Sequence, residues 1–139
     1  EDQRTLLHAR LIRDADKLDN CRVKLEDPLE TFMNASAQEI GEQKITEKVR
    51  DDILKGKSIL SSDRITDMDF WVSYLAYFYD LNFKESLEIV KENNYVGKIA
   101  GRIPYSNPET KATMRKISEE LEKYIDGRLP GNGQRTALP

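Results

Sequence analysis

Histidine and cysteine are almost missing from this chain: among 139 residues there is one of each, His8 and Cys21. A lone cysteine excludes an internal disulfide and suits a reducing cytoplasm, the compartment the sequence predicts. The two cannot form a nucleophilic pair, because about 13 residues of one helix separate them, ~20 Å along its axis. Charge of one sign is also lacking. The 22 Lys and Arg residues nearly balance 25 Asp and Glu, for a net charge of −3. No basic excess is available to engage nucleic-acid phosphates. The longest strongly apolar run, residues 70–79, is interrupted by Ser73 and falls far short of the ~20 residues of a membrane span. No signal peptide is visible. Glycine-rich phosphate loops of the Walker or Rossmann type, internal repeats and strand-like alternation are absent from the sequence too.

What remains is helical periodicity with a charged fraction of 34%, as expected of amphipathic helices with solvated outer faces. Residues 4–25 contain no Gly or Pro and read as one long helix, ended before Pro28. Residues 28–34 suggest a short turn, followed by a polar stretch to Gly41. Thr46 caps a helix over 47–55 that Gly56 stops, and 58–64 reads as a loop. Thr66 or Asp67 caps an apolar helix over 68–81, buried on more than one side. Asn82 breaks it. Helices follow over 83–93 and 95–103, and the last runs over 108–126 with Asn107 as cap, Pro108 at its first position and Gly127 as stop. In that helix Met114, Ile117, Leu121 and Tyr124 form one buried stripe. The fold class is all-α, a helical bundle over 1–127 with a flexible tail over 128–139. The chain begins without Met, Glu1-Asp2-Gln3 leading straight into a helix, as expected of a piece of a longer protein.

The first helix carries the candidate chemistry. At ~100° per residue, Ala9, Ile12, Asp16, Asn20 and Val23 share one face, and Leu7, Leu11, Leu18 and Leu25 lie nearly opposite. Two apolar stripes predict a helix sandwiched within a bundle. Asp16 then falls inside an apolar stripe, where a carboxylate must be paired with a cation or bind a metal. Asp19 lies on one flank of that face, and Arg13 and Lys17 on the other.

The segment Ile12-Arg13-Asp14-Ala15-Asp16-Lys17-Leu18-Asp19-Asn20 resembles the last conserved element of the HD superfamily of metal-dependent phosphohydrolases. In that element an Ala-Asp-Lys/Arg-Leu motif carries a metal-binding Asp. Further along, Thr66-Asp67-Met68-Asp69-Phe70-Trp71-Val72-Ser73-Tyr74-Leu75-Ala76, Asp80-Leu81-Asn82-Phe83 and Glu92-Asn93-Asn94-Tyr95 resemble a bacterial subgroup of HD-domain proteins. Together these cover roughly residues 6–125.

The resemblance implies that the chain is the C-terminal part of an HD-domain bundle. Asp16 would be the last metal ligand, with Lys17 and Asn20 as substrate contacts. The cofactor would be a divalent metal (Mn, Mg, Zn or Fe) that activates water for attack on a nucleotide or other small phosphate ester. The family also requires an upstream histidine and a His-Asp pair, which this sequence does not contain. His8 cannot replace them, lying eight residues and ~12 Å along the helix from Asp16, where metal–ligand bonds are ~2 Å. The chain alone is therefore expected to bind no metal, to lack a complete catalytic set and to expose Ala9, Ile12 and Val23 along a groove open to self-association. The alternative is a non-catalytic helical regulatory or interaction domain derived from the same fold.

Overall fold

The computed structural model describes residues 2–130. Among these residues seven α-helices follow one another: α1 (Gln3–Glu26), α2 (Ala37–Glu42), α3 (Glu47–Leu54), α4 (Asp67–Ala76), α5 (Lys84–Glu92), α6 (Tyr95–Ala100) and α7 (Pro108–Arg128). Short 3-10 turns occupy Leu29–Thr31, Ser61–Asp63 and Tyr77–Asp80, and no strand occurs among the described residues. The all-α class read from the sequence is the class observed. No helix among the described residues is long and apolar enough to cross a membrane.

Helix α4 is the centre of the molecule. Met68, Trp71, Val72 and Leu75 are each fully buried, and Phe78 beyond the helix end is nearly so. Around it pack α2, α3 and α6, while α7 lies against α3, α5 and α6. The predicted stripe of α7 is buried at Met114, Ile117 and Leu121, and Ile125 extends it. Tyr124 is only half-buried, its ring edge-on to Tyr79 at 4.7 Å.

Buried carboxylates tie the elements together. Asp69 is completely buried and accepts the backbone N–H groups of Thr46, Ile65 and Thr66 at 2.8, 2.9 and 3.1 Å. It also accepts the Thr46 hydroxyl. One side chain thus fixes the starts of both α3 and α4. Thr66 caps α4 through a reciprocal capping box with Asp69, satisfying two otherwise orphan N–H groups.

Several boundaries differ from the sequence reading, each for a local reason. The polar stretch before Gly41 contains α2, nucleated by a Ser36/Glu39 capping box and anchored by fully buried Ile40. Gly41 belongs to it because the chain at Pro104 passes so close that a Cβ would collide with the Pro104 carbonyl. The helix expected over 68–81 is α up to Ala76 and tightens to 3-10 from Tyr77. Thr46 stands at the N-cap of α3, but its hydroxyl goes to Asp69 instead of capping. Gly127 does not stop α7, which runs to Arg128 with Leu129 buried behind it. Of the expected flexible tail, residues 131–139 lie outside the described residues.

Candidate functional site

Helix α1 is held along one side only. Leu18 and Leu25 pack against the core and Cys21 is part of it. Burial pushes the Cys21 thiol up to about 12, so it stays protonated and unreactive near neutral pH. The Arg102 guanidinium donates to the carbonyls of Lys24 and Asp27, closing the C-terminal end of α1.

The third tie is Asp14, only 2% exposed. Its carboxylate accepts the backbone N–H and side-chain amide of Asn82, both at 2.9 Å, and the N–H of Phe83 at 3.0 Å. It also accepts the Ser86 hydroxyl at 2.6 Å. Asp14 thus anchors the residues leading into α5 and the Ser86 hydroxyl in its first turn, near a helix N-terminus where a negative charge is favoured by the helix dipole. Burial by itself raises the pKa of this carboxyl. The hydrogen bonds from Ser86, Asn82 and Phe83 outweigh burial and hold it below the ordinary value of 3.8.

These ties orient the two stripes of α1. The Leu18 and Leu25 side faces the molecule, and the opposite face stays open among the described residues. Asp16, Asn20 and Ile12 are exposed, with Ala9 and Val23 half-buried. The predicted sandwich is therefore not formed among the described residues, and Asp16 is not a buried carboxylate. The buried one is Asp14, two residues away. A signal for it existed in the sequence, since the same wheel puts Asp14 between Leu7, Leu18 and Cys21 on the inner face.

Asp16 opens onto a shallow depression of about 270 Å³, lined by Arg13, Asp16, Lys17, Asn20 and Tyr77. The structure thus brings together the three residues singled out by the motif and adds Arg13 and Tyr77. Ala9, Ile12 and Val23, expected as its lining, are not part of it. The side chains of Arg13, Asp16, Lys17 and Asn20 make no hydrogen bond or ion pair among the described residues. By contrast Asp19 is engaged by Arg22 at 2.7 Å, and Arg22 also binds Glu26 at 3.1 Å.

A narrow slot adjoins the depression, sharing Lys17, Asn20 and Tyr77 with it and reaching in to Lys24 and Tyr74. The Lys24 ammonium lies 4.6 Å from the Phe32 ring centroid and 4.5 Å from that of Tyr74. This half-buried cation is held against the two aromatic faces, and desolvation lowers its pKa.

No group of three or more His, Cys, Asp or Glu side chains among the described residues is arranged to hold a metal ion. Around Asp16, among the described residues, no second carboxylate, histidine or cysteine lines the depression. No family model, no curated protein and no solved structure matches this chain.

Proposed function

We propose that this chain carries one ligand-bearing helix of an HD-type metal-dependent phosphohydrolase, acting on a nucleotide or another small phosphate ester. In this reading Asp16 supplies one carboxylate oxygen, Lys17 and Asn20 border the substrate, and the histidines come from outside the sequence. The observation that carries it is the combination at Asp16 of exposure, an unengaged carboxylate and an adjoining depression. A carboxylate kept for structure is normally hydrogen-bonded, as Asp14 and Asp69 are. Since the described residues do not complete a metal site, no catalytic step is assigned to them.

The coding sequence upstream of Glu1 in its source genome is the direct test. The expected result is an in-frame histidine followed by a His-Asp pair. A reading frame that encodes neither sinks the proposal. If they are present, Asp16→Asn in the longer protein should abolish Mn²⁺-dependent hydrolysis of p-nitrophenyl phosphate.

A second reading rests on a different observation. Leu6, Leu7, Leu11 and Ile12 are 42–50% exposed along the first part of α1, a concentration of apolar surface that suits docking more than catalysis. As a non-catalytic interaction domain, the chain would associate through this segment.

A further inference from the structure

Two cations stand one turn apart on the open face of α1. Arg13 and Lys17 are at i and i+4, a spacing at which like charges repel. Neither is paired with a carboxylate among the described residues. Some other cations are paired, Arg22 with Asp19 and Glu26, Lys48 with Asp52 and Lys91 with Asp126. Among the described residues others such as Arg10 and Lys98 are not, so the place of Arg13 and Lys17 beside a depression is what distinguishes them. Arg13 and Lys17 border the same depression as the Asn20 amide and the Tyr77 phenol. Neither of those side chains makes a hydrogen bond among the described residues.

Four groups able to donate therefore converge on one pocket, against a single acceptor-only group, Asp16. Arginine engages a phosphoryl group through two parallel N–H bonds, and lysine adds a point charge. Tyr77 contributes something different. Its ring belongs to a cluster that includes Tyr74, with centroids 6.3 Å apart, and it walls both the depression and the slot beside it. An aromatic wall next to a cationic rim suits a ligand with a charged end and a planar end.

We infer that Arg13 and Lys17 form an anion-binding subsite for the phosphoryl group of a phosphate monoester, with the planar organic part of that ester lying against Tyr77. Its role as a substrate subsite rests on the phosphohydrolase reading above, whereas the binding itself requires no metal. Asp16 has opposite effects in the two cases. As a metal ligand it is required. Without metal its negative charge repels the phosphoryl group.

The test is binding in EDTA, followed by backbone amide NMR, with phenyl phosphate and inorganic phosphate as probes. Phenyl phosphate should shift the amides of residues 13–20 and 77. Arg13→Gln and Lys17→Gln should each weaken it about tenfold, the scale of one charge-assisted hydrogen bond. Tyr77→Leu should weaken phenyl phosphate and leave inorganic phosphate unchanged. Asp16→Asn should tighten both, the reverse of its predicted effect on metal-dependent hydrolysis. Failure of this subsite is thereby separated from failure of the phosphohydrolase reading. Shifts confined to other surfaces, such as the groove of about 590 Å³ flanked by Gly101 and Met114, would overturn the inference. So would unchanged affinity in both Gln variants.

Discussion

Asp14 concentrates more structural consequence than any other polar side chain on α1. Replacing it with Ala leaves the N–H groups of Asn82 and Phe83 and the Ser86 hydroxyl without their acceptor. The expected loss is ~3 kcal/mol, since an unsatisfied buried donor costs ~1–3 kcal/mol. Asp14→Asn keeps the shape and one acceptor, so its loss should be smaller. The two also differ in pH dependence. The native carboxyl titrates below its ordinary value of 3.8, so the unfolded chain takes up the proton first as pH falls. The stability due to the charge is therefore complete above that value and is lost as pH drops through the native pKa. Urea melts at about pH 7 and about pH 3 measure this. The gap between wild type and Asp14→Asn should be wider at the first pH than at the second. An equal gap at both would mean that the charge of Asp14 does not contribute.

At the scale of elements, α1 is two helices in energetic terms. Residues 2–13 have exposed side chains throughout except half-buried Ala9, whereas Asp14, Leu18, Cys21 and Leu25 engage the molecule. Isolated helices of a dozen residues are marginal in water. Amides over residues 4–13 should therefore exchange with deuterium at least about 100-fold faster than those over 17–26, because local openings there break few tertiary contacts. Uniform protection along α1 would show that the first half is held by something more than its own hydrogen bonds.

The contrast explains what was legible in the sequence. Long periodic helices such as α1 and α7 were legible because spacing alone identifies a stripe, and Asn107-Pro108 marks a start by cap chemistry. Helix α2 was not, because six residues show no period and its stability comes from Ile40, a capping box and the passing Pro104 chain. The wheel recognised two faces of α1 but not which was covered. That depended on Asn82, Phe83 and Ser86, far away in sequence. Lys17 and Asn20 were found at the candidate site by motif. Tyr77 was not, because its place there is set by the 3-10 turn after α4. Arg13 was noted only as a flank of Asp16, and the role proposed for it rests on its place at the depression.

In the molecule as a whole, the core lies around α4 and the candidate site lies on one outer face of α1. Stability and candidate function are thus separated in space, so changes on the open face should leave folding intact. The exposed segment with Leu6, Leu7, Leu11 and Ile12 makes association a property to be measured on the entire chain. If the interaction-domain reading holds, sedimentation velocity should show concentration-dependent association. Leu11→Glu should abolish it, with at most about 0.5 kcal/mol change in stability, as expected at an exposed position. A monomer at every concentration would discard that reading.

The clamp at Asp14 also orders events in time. Its partners Asn82, Phe83 and Ser86 lie 68, 69 and 72 residues further along the chain. A polypeptide made from its N-terminus therefore produces α1 long before the groups that seat it exist. Closing so long a loop carries an entropic cost, offset only once α5 can form. The helix bearing the candidate site is thus synthesised before its seat and cannot dock through Asp14 until the 72 residues up to Ser86 have followed.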